Sequence, residues 1–276
     1  TSTTALQHFK VGTLNIEIHP DRESAGEAAA REAAQALTQL AQSADEFGVI
    51  FATGASQLRM LDELTSIPGL PWNKVLGFHL DEYIGMPPDH PASFRHYLRQ
   101  NLLGKVKMKE FFEIDGTASD IDLLCRQYAA KLRQVSPQLC LLGIGENGHL
   151  AFNDPGEADF NDPLDVRTVA LDTACRQQQA AEGWFDSLED VPKVAITLTM
   201  PALFRVPRLI LSVPGSRKAE IIQRIMEEPI SADCPATILR RHPNATLHLD
   251  SDSAAKVIVT TVMSSSCPNA RAVSAT

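Results

Sequence analysis

The sequence predicts an α/β protein whose mostly parallel, doubly wound sheet carries helices on both faces, in the manner of Rossmann-like folds. Apolar runs such as FGVIFAT, KVLGFH and QLCLLGIG are continuous rather than alternating, the pattern of strands buried on both sides. Between them lie segments with helical spacing of apolar residues, so strands and helices take turns along the chain. Turn-forming residues close the apolar runs, as in TGAS and GIGENG.

In chain order, DRESAGEAAAREAAQALTQLAQ at 21 to 42 reads as a helix, and FGVIFAT after it as a strand ending in the TGAS loop. SQLRMLDELTSI reads as a second helix. KVLGFHLDEY at 74 to 83 reads as one buried strand that terminates in acidic residues. SFRHYLRQNLL is helical, FFEI a short strand, SDIDLLCRQYAAKLRQV an amphipathic helix and QLCLLGIG another buried strand. A long polar segment from about 153 to 190 is followed by the strands VAITLTM and RLILSV, a helix opening at GSRKAEIIQRI, and a final strand ATLHLD. Residues 1 to 263 are expected to form a single domain, and SSSCPNARAVSAT, covering 264 to 276, a mobile tail with little to bury.

With 44% hydrophobic and 21% charged residues among 276, the chain has the composition of a globular protein with a sizeable core. A net charge of -9 offers no general attraction to nucleic acid or anionic membranes. No apolar stretch approaches the roughly 20 residues of a membrane-spanning helix, and the first residues lack a signal-peptide pattern. A cytoplasmic protein is therefore expected. Cys125, Cys140, Cys175, Cys234 and Cys267 form no close pair, which indicates neither a disulfide framework nor a zinc site. No set of His, Cys and acidic residues stands at metal-binding spacing, so neither metal nor organic cofactor is expected.

In an open parallel sheet, ligands bind beyond the carboxyl ends of the strands. TGAS, LDEY, GENGHLAFNDP and PGSRK all fall there, and they hold most of the unusual chemistry. Thr53, Gly54, Ala55 and Ser56 can cradle a phosphate with backbone amides and hydroxyls; a tight connection is the competing reading. Lys218, in the first turn of a helix, is unfavourably placed against the helix dipole unless an anion compensates it. Asp81 and Glu82 end an apolar strand, where burial raises a carboxylate pKa towards the range useful for proton transfer; Asp81 is the candidate base. In GENGHLAFNDPGE the glycines bring the backbone close to a ligand, His149 reaches into the cleft, and Asn147 and Asp154 are near enough to orient it.

LDEYIGMPPDHPASFRHYL, GIGENGHLAFNDPG and VPGSRKAE, in this order and spacing, resemble the signature segments of glucosamine-6-phosphate deaminases. The resemblance spans roughly residues 10 to 250. It implies a sugar-phosphate enzyme without a cofactor that isomerises an aldose to a ketose and releases ammonia. It further implies that Asp81 moves a proton between C2 and C1 and that His149 is the ring-opening acid and base, with Asn147 and Asp154 orienting it. Thr53 to Ser56 and Lys218 would take the phosphate, with Glu82 and Gly145 also at the substrate. The family's phosphate arginine has no match: Glu182 or Gly183 stands there, before Trp184 and Phe185, and Arg176 serves only through a register shift. The related 6-phosphogluconolactonases share the fold, so lactone hydrolysis is the alternative activity and a non-catalytic sugar-phosphate sensor a third reading. Self-association into a homo-oligomer stays open.

Overall fold

The computed structural model describes residues 5–181 and 183–257. The tail expected at 264 to 276, Cys267 and Glu182 lie outside these residues. The chain opens with a hairpin, β1 (Gln7–Val11) and β2 (Leu14–His19), which turns at Gly12 with φ 62°. The helix at 21 to 42 is the first element expected from the sequence, and this pair precedes it. Its signal is the alternation in LNIEIH after a glycine turn. Helix α1 (Arg22–Ser43) starts where Asp21 accepts a hydrogen bond from the Ser24 amide at 2.7 Å, an N-cap that satisfies a donor the helix cannot.

Strand β3 (Phe47–Phe51), helix α2 (Leu58–Ser66) and β4 (Val75–His79) form the first parallel crossover. β5 (Asp81–Tyr83) follows, then α3 (Phe94–Leu98), which continues as a π turn over Arg99–Leu103. Next come β6 (Glu110–Phe112), α4 (Ile121–Val135), β7 (Leu139–Leu142), β8 (Val166–Ala170) and α5 (Thr173–Ala181). The chain then forms β9 (Val194–Leu198), α6 (Met200–Phe204), β10 (Arg208–Ser212), α7 (Ala219–Glu227) and β11 (Ala245–Asp250).

The main sheet runs β1-β2-β11-β10-β7-β3-β4-β6, parallel except for the edge strand β1. Its two faces bury different residues of the same strands. Phe47, Val49 and Phe51 meet Ala33, Leu37, Met60 and Leu64 of α1 and α2. On the other face Ile50, Phe78 and Leu142 pack with Leu132 of α4 and Ile221 and Ile225 of α7. That alternation, with both sides apolar, is why these strands read as unbroken hydrophobic runs.

Two expectations need correction. KVLGFHLDEY is not one strand: the chain bends at Leu80, and β5 leaves the main sheet for a three-stranded antiparallel sheet, β5-β9-β8. VAITL therefore belongs to this small sheet rather than to the parallel one. The polar segment at 153 to 190 also contains β8 and α5. β8 (VRTVA) buries only Val166 and Val169, and α5 (TACRQQQAA) is mostly polar, so neither gives a continuous apolar run.

Candidate active site

β3 and β7 are neighbours from which the chain departs in opposite directions, to β4 and β6 on one side and to β10 and β11 on the other. Their following loops diverge, and this switch point opens a crevice at the carboxyl ends of the strands. A cavity of about 410 Å³ occupies it. All four sequence-predicted loops line it, through Thr53–Ser56, Asp81, Gly145 with His149, and Ser216–Lys218.

The loop after β3 is fixed from beneath. Gln57, fully buried, donates from Nε2 to Ser56 Oγ at 3.0 Å and to the Ser212 carbonyl at 3.1 Å. Tyr97 Oη donates to the Gly54 carbonyl at 2.9 Å, and Gly54 has φ 101°, a backbone state that favours glycine. Across the cavity, Gly215 in the loop after β10 has φ 100°, and its amide donates to both Asp250 carboxylate oxygens at 3.0 Å. Lys218 Nζ donates to the Ile144 carbonyl at 2.7 Å, which ties this loop to the end of β7.

β5 directs Asp81 into the cavity and its neighbour Glu82 away from it, as the two-residue period of a strand requires. Asp81 is 7% exposed, and burial first, then the charge of Glu82, holds its carboxyl well above the usual carboxylate range. Glu82 does not line the cavity, contrary to its expected place at the substrate. It accepts from Ser93 Oγ at 2.9 Å and from the amides of Tyr83, Phe94 and Arg95 at 3.0, 3.2 and 3.0 Å, so it braces the start of α3. Glu82→Gln is expected to lower the free energy of unfolding by about 2 kcal/mol, because an amide turns a donor towards donors, and to leave the KM for substrate within a few-fold. Chemical denaturation beside steady-state kinetics checks both halves.

His149 stands in a turn with Gly148 at φ 91° and Ala151 at φ 51°, the latter a strained state for a residue with a side chain. His149 Nδ1 lies 2.9 Å from Asp154 Oδ1, and both side chains are largely buried. Asp154 would be pushed up by its burial, but His149 and the Asn147 amide outweigh this and hold it below the usual range, as a carboxylate. Asn147 does not touch the imidazole. Its Oδ1 accepts from the His149 backbone amide at 3.0 Å and its Nδ2 donates to Asp154 Oδ1 at 2.9 Å. The carboxylate at 154 thus makes the direct contact, and the amide at 147 donates to the same carboxylate oxygen. The glycines of GIGENG give clearance within the site: a methyl on Gly145 would meet the His149 ring, and one on Gly143 would meet the Gln57 amide.

Arg176 is also placed elsewhere. Its guanidinium donates to the carbonyls of Leu188 and Val191, while Gln178 and Gln179, further along α5, take the cavity face. These glutamines, Trp184, and Arg22 at the first position of α1 also line the cavity and are not among the site residues expected from the sequence. Arg22 had a signal, a cation directly after a strand and an Asp N-cap. Arg217, another cation at the rim, pairs with Glu146 at 2.8 Å.

The chain belongs to the glucosamine-6-phosphate isomerases/6-phosphogluconolactonase family, whose pattern matches residues 20–248. It is 37% identical over 210 residues to a glucosamine-6-phosphate deaminase of Exiguobacterium sibiricum, covering 74% of this chain and 78% of that protein. A glucosamine-6-phosphate deaminase of Bacillus cereus is 34% identical over 202 residues, covering 73% of this chain and 75% of its own. Among solved structures, a monomeric glucosamine-6-phosphate deaminase superposes with a TM-score of 0.79 at 27% identity, over 87% of this chain and 99% of that one. The 6-phosphogluconolactonase of Trypanosoma brucei shares the fold, with a TM-score of 0.70 at 18% identity over 91% and 100% of the two chains. Among the described residues, no helix is long and apolar enough to cross a membrane.

Proposed function

We propose that this chain is a hexosamine-6-phosphate deaminase, acting on glucosamine 6-phosphate to give fructose 6-phosphate and ammonia. The observation that carries the reading is one cavity lined by the buried Asp81, by His149 backed by Asp154, and by Lys218 and the Thr53–Ser56 loop. Relatives named for this activity at 33% to 37% identity support it.

The sugar ring opens when a proton leaves the O1 hydroxyl and one is delivered to the ring oxygen. His149 can do both, since imidazole accepts at one nitrogen and returns the proton as imidazolium, which Asp154 stabilises. In the open aldehyde, Asp81 removes the C2 proton while O1, which becomes the enol oxygen, takes a proton from water; Asp81 then delivers its proton to C1 as the nitrogen lone pair forms the C2–N double bond. C2 is then an iminium carbon; water adds there, and the C–N bond breaks to leave the ketone and ammonia. Every proton moved has a named donor on this chain or in water, so the cycle works without a cofactor.

Ammonia release from glucosamine 6-phosphate, assayed beside hydrolysis of 6-phosphogluconolactone, tests the proposal. Lactone turnover without ammonia would replace it with the hydrolase reading, and thermal stabilisation by the sugar phosphate without turnover would replace it with a sensor. Lys218→Ala is expected to raise the Kd for substrate about 10- to 100-fold, the loss of a charge-assisted bond of roughly 1.5 to 3 kcal/mol, with a smaller effect on kcat. Isothermal titration with the sugar phosphate measures it; unchanged affinity would remove Lys218 from the phosphate site.

A further inference from the structure

A second set of chemistry-bearing side chains lies apart from the cavity's acid–base groups, on the face of β2 and β11 covered by α1. Glu17 and His248 are direct partners across these parallel strands, and His19, two residues beyond Glu17, points to the same face. His19 Nε2 stands 3.2 Å from His248 Nδ1, and Glu17 Oε2 is 3.6 Å from each of these nitrogens. A point equidistant from the three atoms lies about 2.0 Å from each, the length of a zinc–nitrogen or zinc–oxygen bond. Both histidines are 1% exposed, whereas the Glu17 side chain is 30% exposed and leaves one side of this point open to water.

The surroundings match as well. His248 Nε2, the ring nitrogen turned away from the triangle, lies 2.8 Å from Glu32 Oε2 of α1. A carboxylate on the second nitrogen is the usual partner of a metal-bound imidazole, because it fixes the tautomer and strengthens the ligand. Glu32 is itself held by Thr246 Oγ1 at 3.0 Å and Arg208 at 3.2 Å.

We propose that Glu17, His19 and His248 bind a divalent transition-metal ion of the zinc type, with water as the fourth ligand and Glu32 as the orienting carboxylate. Two imidazoles and one carboxylate suit zinc and its neighbours far better than magnesium or calcium. The ion clips the edge hairpin to β11, the strand whose Asp250 holds the Gly215 amide. It takes no part in the proton transfers, so the site stands or falls independently of the deaminase reading.

The test uses the full chain, stripped with a chelator and titrated with Zn²⁺ by calorimetry and with Co²⁺ by visible absorption. One ion per chain and a rise in melting temperature with Zn²⁺ are expected. Glu17→Gln and His19→Gln should each abolish tight binding, and Glu32→Gln should weaken it about 10- to 100-fold. Glu17, the most exposed of the three, gives a variant that leaves the packing of the fold in place. The absence of saturable binding at micromolar zinc would overturn the site and leave a hydrogen bond between two imidazoles. Binding that survives Glu17→Gln and His19→Gln, or a thiolate–cobalt band lost in Cys175→Ser, would equally overturn it by moving the ion to His149, Asp154 and Cys175, the other close cluster.

Discussion

Asp81→Asn is expected to lower kcat for ammonia release by about 100- to 10,000-fold, the usual contribution of a positioned acid or base. Substrate affinity should stay within a few-fold, because the amide matches the carboxylate in shape and β5 keeps its pairing with Thr197. The native profile carries a second signature. Burial, and then the charge of Glu82, raises the affinity of Asp81 for its proton, and only the deprotonated form can take the C2 proton. Turnover must therefore fall as the pH drops through this raised pKa, well above the range near 3.9 where an exposed aspartate titrates. Residual activity in the Asn variant should lack that acidic limb. Steady-state rates across pH for both proteins decide the matter. Near-native turnover in the variant, or a native profile flat down to about pH 4, would remove Asp81 as the base.

The fold was legible because a parallel sheet writes its strands as uninterrupted apolar runs and its ligand loops as whatever follows them. TGAS, GENGH and PGSRK were found in this way, and all three line the cavity. What stayed hidden depends on pairings between distant segments. Asp81 and Glu82 are neighbours in a strand, so one faces the cavity and the other the core, and only β9 decides which. Asn147 and Asp154 were both in reach of His149, but the turn around Ala151 determines that the carboxylate meets the ring and the amide meets the backbone. Arg176 and the glutamines share one short helix, whose rotation sends the cation to the carbonyls near 188 and 191. His19 and His248, 229 residues apart, show no metal-binding spacing at all; the β2–β11 register alone brings them together.

Gly145→Ala tests whether the placement of the His149 ring, rather than its presence, carries the chemistry. A methyl at 145 would stand 2.2 Å from His149 Cε1 and 2.4 Å from both ring nitrogens, closer than any real contact. Gly145 needs no special backbone conformation, since it is not among the glycines with positive φ, so the strain is steric and falls on the ring. Either the imidazole swings away from Asp154, or the turn closed by the Gly145 amide and the His149 carbonyl at 3.0 Å must open. In both cases the proton donor for ring opening is lost, and kcat should fall about 100-fold or more. Overpacking costs about 1 to 3 kcal/mol of stability, which a melting curve measures separately. Gly143→Ala is the contrasting variant: its methyl meets Gln57 Nε2 at 2.8 Å and Ser56 Oγ at 3.5 Å, the groups beneath the Thr53–Ser56 loop, so it should raise the KM for the sugar phosphate while leaving the histidine in place. Comparable losses in the two variants would mean that the loop as a whole, and not the imidazole position, limits turnover. A near-native rate in Gly145→Ala would show that His149 does not need the place beside Asp154 to open the ring.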